Sequence, residues 1–137
     1  MTPDPKEVAE LLDIQADSWL GIAEAVEAGL PVIALDAISW MIARNDWAFS
    51  YKIVSRGTLR RRRKAGRLSP VESDKVARLV RAYLIALDFF SGSEHAARMH
   101  LLNPKTRLAD RSPADLVIAS DAGLVALIEV LESSRRS

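Results

Sequence analysis

Cysteine is absent from this 137-residue chain, and with it go disulfides, thiolate nucleophiles and Cys-ligated zinc or iron-sulfur centres. Aromatic residues amount to 6%, so a core has to be built mainly from aliphatic side chains. Long apolar runs are also missing: the best membrane candidate, Val80 to Phe90, is interrupted by Arg81 and Asp88. The N-terminal Met1-Thr2-Pro3-Asp4-Pro5-Lys6-Glu7 has neither a basic n-region nor an apolar h-region, so an unprocessed cytoplasmic protein is expected. Strand signals are weak, because no two-residue hairpin turn separates alternating apolar runs. What is abundant is helix-forming Ala, Leu, Arg and Glu. With 49% hydrophobic residues and a net charge of +1, the chain lies inside the globular range.

The small net charge hides an uneven distribution. Residues 1 to 31 carry seven acids against Lys6 alone, whereas no acid stands between Asp46 and Glu72, where Lys52, Arg56, Arg60 to Arg63, Lys64 and Arg67 collect. A local positive charge points to a local polyanionic partner.

Three helix starts can be named from chemistry. Asp4-Pro5-Lys6-Glu7, Ser69-Pro70-Val71-Glu72 and Ser112-Pro113-Ala114-Asp115 each place a capping side chain, a proline at the first helical position and an acid three residues after the cap. That acid can reach back to the amide of the cap. The helix from Pro70 is expected to run to about Phe90, roughly 30 Å at 1.5 Å per residue. Its apolar residues, Val76, Leu79, Val80, Tyr83, Leu84, Leu87 and Phe90, recur at helical spacing, with Lys75, Arg78 and Arg81 on the other side. Further helices are expected before Gly29, from Val32 to Ala43, from Glu94 to Leu102 and around Leu124 to Leu131. The predicted architecture is all-α. It divides into an N-terminal helical segment (1–30), a helix-turn-helix region with the long helix (31–91) and a C-terminal domain (92–137).

The stretch from Asp46 to Lys64 has the rhythm of a helix-turn-helix: a short helix, a turn near Val54, a Ser55 cap and a second short helix. With Leu59 turned to the core, Gly57, Thr58 and Arg61 face away on a helical wheel. Arg60 and Arg62 flank them where phosphates would lie, and Arg63 must turn its guanidinium outward past the apolar side. Arg61 is the first candidate for a base contact, since a guanidinium pairs bidentately with guanine O6 and N7. Gly57 would let a backbone come close. The candidate DNA-binding set is therefore Arg56, Gly57, Thr58, Arg60, Arg61, Arg62, Arg63 and Lys64. An RNA or other polyanion partner, or a merely solvated basic helix end, would carry the same arginines.

Catalytic candidates are poor. His95 and His100 are five apart and fall on different helix faces, no phosphate-cradling glycine loop is present, and Glu129 and Glu132 read as a solvated face. No enzyme activity, metal or cofactor is expected. Trp19, Trp40 and Trp47 each lie in or beside a helical apolar pattern, which favours core or boundary packing over a partner surface. The apolar Leu124, Leu127, Ile128 and Leu131 look too many for a small C-terminal domain to cover alone, so part of that surplus is expected to face a partner. The Arg135-Arg136 tail is long enough to reach over a partner's pocket.

Several segments, taken in order, resemble the Xre/MbcA/ParS antitoxin family: Gly29-Leu30-Pro31-Val32, Thr58-Leu59, Arg61-Arg62-Arg63-Lys64, Gly66-Arg67-Leu68-Ser69-Pro70 and Glu72-Ser73-Asp74. Ala97-Arg98, Leu102-Asn103-Pro104, Arg111-Ser112-Pro113-Ala114-Asp115-Leu116 and Asp121-Ala122-Gly123 are similar to that family's C-terminal toxin-binding domain. Ile53 stands where a turn glycine is common in the family, and Arg56-Gly57 replaces a usual Pro-Arg. The resemblance implies a homodimeric antitoxin that neutralises a RES-domain toxin, forms a higher-order complex with it, and represses the shared operon by binding operator DNA. RES toxins consume or transfer from NAD, so that chemistry would belong to the partner. It also implies that Asn103 and Arg111, together with Leu124, Leu127, Ile128, Leu131 and Arg135, belong to the toxin-binding part. A second reading keeps toxin neutralisation and drops specific DNA binding.

Overall fold

The computed structural model describes residues 2–136. Eight α-helices follow one another among the described residues: α1 (Pro5–Leu11), α2 (Trp19–Ala28), α3 (Val32–Ile42), α4 (Arg56–Ala65), α5 (Pro70–Phe89), α6 (Glu94–Leu102), α7 (Pro113–Ala119) and α8 (Asp121–Arg136). Two single 3₁₀ turns, Phe49–Lys52 and Thr106–Leu108, precede α4 and α7. The all-helical expectation holds.

The three proline-bearing starts form as their residues dictate. Asp4, Ser69 and Ser112 each accept a hydrogen bond from a first-turn amide, of Lys6, Glu72 and Asp115 respectively. At Ser69 the box closes in both directions, because the Glu72 carboxylate accepts the Ser69 amide at 2.9 Å. At Ser112 it does not: the Asp115 carboxylate turns instead to the Lys52 ammonium, 2.9 Å away. The energy of that exposed pair is small, but it ties the turn before α4 to α7.

Helix α5 is the axis on which the molecule packs, touching α1, α2, α3, α6, α7 and α8. Its Val76, Leu79, Val80, Tyr83 and Ala86 are buried in one continuous apolar cluster that runs from Val8 in α1 to Leu131 in α8. The cluster includes residues on both sides of the expected division at residue 92. It corrects the reading of α8. Leu124, Leu127 and Leu131 are 1%, 0% and 0% exposed, so they contribute to the shared core and offer no surface to a partner. Ile128 is half-buried against the same cluster. The expected surplus vanishes because α5, which lies outside residues 92–137, joins α7 in covering these side chains. Among the described residues no helix is long and apolar enough to cross a membrane.

Two close approaches depend on glycine. A Cβ at Gly123 would collide with the Leu116 carbonyl, so α8 can lie this near α7 only without a side chain there. Gly29 has φ 95°, and a Cβ would meet the Leu68 carbonyl. Around it the 29–31 and 66–68 segments are zipped together: Leu68 N–H donates to Leu30 O at 2.8 Å, and Arg67 Nη1 to Gly29 O at 2.8 Å. The buried Ser73 hydroxyl of α5 accepts the Leu30 amide at 2.8 Å. The resemblance motif around Gly29 and Gly66 is thus the joint that fastens the end of α4 to α3 and α5.

One cation departs from its expected place. Arg78 is only 8% exposed; its Nη1 donates to Val117 O of α7 at 2.6 Å and its Nε to Asp74 at 3.1 Å. It links α5 to α7 and does not face solvent, because a charged group can be buried where donors find partners.

Candidate nucleic-acid interface

Helix α4 buries one side chain, Leu59, and is otherwise polar or basic. Such a helix needs outside support. Part of it comes from the preceding turn, where Phe49, Ile53 and Val54 are buried at 1%, 5% and 2% exposure. Ile53 has φ −101° and ψ −45°, an ordinary right-handed conformation, so no glycine is required at this turn and the isoleucine adds an anchor.

The rest comes from two guanidinium forks. Arg62 Nε and Nη2 donate to the two Glu72 carboxylate oxygens at 2.8 and 3.3 Å, fastening α4 to α5. Arg63 Nη1 and Nη2 donate to the Asp36 oxygens, both at 2.9 Å, fastening α4 to α3. Bidentate geometry fixes orientation as well as distance. The hydrogen bonds to Glu72 and Asp36 raise the pKa values of Arg62 and Arg63. Burial alone would raise the Glu72 carboxyl, but hydrogen bonds from Arg62 and Ser69, with the Arg62 charge, outweigh it and hold the carboxyl below its usual range. Arg62, expected to flank the outer face, is held against α5, while Arg63 keeps its expected exposure and meets a half-exposed Asp36. Both are clamps.

What remains outward is a coherent face. Arg56, Gly57, Arg60, Arg61 and Lys64 are exposed, and Thr58 is half-buried. Nothing lies within 4 Å of the position a Cβ would occupy on Gly57, so a backbone or phosphate has free access there. Ser55 does not cap α4 by its side chain; its hydroxyl donates to Thr58 Oγ1 at 3.0 Å, and Arg61 Nη2 donates to the same oxygen at 3.3 Å. Arg61 is thereby aligned along the N-terminal half of α4. The Arg56 guanidinium sits 5.1 Å from the Tyr51 ring centroid and 5.9 Å from that of Trp47. Three of the eight cations between Asp46 and Glu72 are paired with acids, namely Lys52, Arg62 and Arg63. Arg67 spends a donor on Gly29.

The C-terminal candidates are dispersed. Asn103, Arg111 and Arg135 are exposed, whereas the leucines of α8 are core. The Arg135 guanidinium lies 5.0 Å from the Phe89 ring centroid. The side chain of Arg136 falls outside the described residues. Trp40 and Trp47 reverse their expectation at 56% and 76% exposed, whereas Trp19, at 37%, sits at the boundary. His95 is exposed, and His100 is half-buried beside the Phe90 ring at 5.5 Å. Burial, with the nearby Lys105 charge, lowers the His100 pKa to about 4. Glu129 and Glu132 are exposed as expected. Among the described residues no cluster of His, Asp and Glu could hold a metal ion.

A 3₁₀ turn anchored in the core, followed by a clamped helix with an outward basic face, is an arrangement suited to a nucleic-acid-binding protein. Residues 21–81 match the family model of the antitoxin Xre-like helix-turn-helix domain. Over 112 residues the chain is 30% identical to Antitoxin Xre of Yersinia enterocolitica, a stretch covering 80% of this chain and 75% of that protein. The chain belongs to the Xre antitoxin family. A toxin and DNA are its partners by class.

Proposed function

We propose that this antitoxin neutralises a RES-domain toxin that consumes NAD or transfers from it, and that as a cytoplasmic homodimer it represses its own operon through α4. The observation that carries the DNA half is the outward face of α4, Arg56, Gly57, Thr58, Arg60, Arg61 and Lys64, held on a helix clamped at both flanks. Arg61 reads a guanine; Arg56, Arg60 and Lys64 hold phosphates. The RES half is supported by the Asn103-Pro104, Arg111-Ser112-Pro113 and Asp121-Ala122-Gly123 segments, and leaves Asn103, Arg111 and Arg135 as the exposed candidates for toxin contact.

Two measurements test the reading. Co-expression with a RES toxin encoded beside the gene should restore growth, and a neighbour of another class would overturn the RES assignment. Gel shifts on a pseudo-palindromic upstream site should show specific binding, with a log-log salt slope of about −5 to −7 for three or four phosphates per protomer. Equal affinity for scrambled DNA would leave an antitoxin that neutralises without reading an operator.

A further inference from the structure

Helix α3 turns Val32, Leu35, Ile38 and Ile42 into the core. Its opposite side carries Ile33, Ala37 and Trp40, spaced four and three residues apart on one face. Ile33 is 57% exposed and Trp40 56%, and no element of the chain covers them. The Arg44 guanidinium sits 4.0 Å from the Trp40 ring centroid, holding the indole in one orientation. Two grooves run between α3 and α4, separated by the half-exposed Asp36–Arg63 fork. One, of about 370 Å³, lies beside Pro31, Ile33 and Gly66. The other, of about 500 Å³, lies between Trp40 and Trp47.

We propose that α3 pairs with α3 of a second copy, antiparallel across a two-fold axis between Asp36 and Ala37, so that each Trp40 fills the groove beside the other copy's Ile33. The stripe has the symmetry such a contact needs. Ile33 and Trp40 stand at equal distances, about 5 Å along the helix, from that midpoint, so antiparallel pairing maps one on the other. A knob lies at one end and a hole at the other. Ala37, at the axis, lets the helices approach. The charges are also self-complementary: Asp36 and Asp46 stand against Arg44 and Arg63 around the same grooves. The two Asp36–Arg63 forks meet near the axis as four alternating charges. A nucleic acid would ask for a single sign here, which the far face of α4 has and this patch lacks. Trp and Arg in a central patch are the side chains on which protein contacts depend most.

The inference rests on the homodimer reading and names its surface. By sedimentation equilibrium the full chain should be a dimer. Trp40→Glu and Ile33→Glu should each raise the dimer dissociation constant by about 100-fold or more, with an unchanged circular dichroism melt. Leu20→Glu, on exposed α2, should leave the constant unaltered. Because the chain lacks cysteine, cross-linking is clean. Ala37→Cys should oxidise to a covalent dimer, since a residue at the axis meets itself within the 7 Å that a disulfide allows. Ile33→Cys and Trp40→Cys should cross-link to each other when mixed and poorly alone. A dimer that survives Trp40→Glu and shows no Ala37→Cys cross-link would overturn this surface and keep the homodimer. A monomer at every concentration would overturn both. Loss of toxin capture in Trp40→Glu with the dimer intact would give the face to the toxin and overturn the proposal.

Discussion

Helices α4 and α8 each concentrate one kind of residue, and the fold uses the two concentrations oppositely. α4 carries six cations, keeps four of them outward and spends two on forks to neighbouring helices. α8 carries a stripe of leucines and puts Leu124, Leu127 and Leu131 wholly into the common core. Charge concentration says that a face stays near water, because burying unpaired guanidinium is costly. Apolar concentration says only that a face is covered, and leaves open whether the chain or a partner covers it. The difference matters for function: the cations of α4's outer face can be altered without disturbing the core, and the leucine stripe of α8 cannot.

The sharpest way to break that contrast is truncation after Leu102. The shortened chain should lose its cooperative thermal transition and most of its helicity, because α7 and α8 cover α5 and Val117 receives the Arg78 guanidinium. A folded fragment that still shifts DNA would restore the two-part division. Leu127→Ala, next in size, should cost about 2–5 kcal/mol in urea denaturation, the usual range for emptying a fully buried leucine site. Arg61→Ala should leave that stability unchanged and weaken operator binding by about 1–3 kcal/mol, relaxing preference at one base position. Arg60→Ala and Lys64→Ala should weaken all sequences alike and lower the salt slope by about 0.9 per lost contact. Should Arg60→Ala alter base preference while Arg61→Ala does not, the reading face is rotated from the one assigned here.

A pH-dependent effect, absent at neutral pH, is expected at His100. The unfolded chain takes up a proton near pH 6.5 that the folded chain refuses until about pH 4. Stability should therefore be complete above pH 6.5 and decline as pH falls between these values. His100→Leu should flatten that stretch of the pH profile, which a titration of the urea midpoint would measure.

Features written in adjacent residues were legible in advance. The caps at Asp4, Ser69 and Ser112 were readable because the capping oxygen and the amides it serves lie within three residues. The span of α5 followed from its apolar period, and the outward Gly57 and Arg61 from the position of Leu59. What failed to show was set by distant partners. Arg63 meets Asp36 across 27 residues of chain, and Arg78 meets Val117 across 39. Helical phase places such side chains near a boundary but is silent about an acceptor beyond it. Trp40 misled for the same reason, since an apolar pattern on α3 does not reveal which of its two apolar sides the core takes. Gly123 was marked by the Asp121-Ala122-Gly123 segment and by Ser120 three residues earlier, whose hydroxyl accepts the Gly123 amide at 3.1 Å.

The unbroken core has a bearing on how long the molecule survives. Proteases act on segments that open, and a chain assembled around several cores can lose one part while another persists. Here the apolar cluster joins α1 to α8 through α5, so fraying deep enough to expose Leu131 and Leu127 also removes the packing beneath α5 and the base to which α4 is clamped. Turnover should then be all-or-none, with digestion that begins at the C-terminal helix leaving no folded remnant able to occupy DNA.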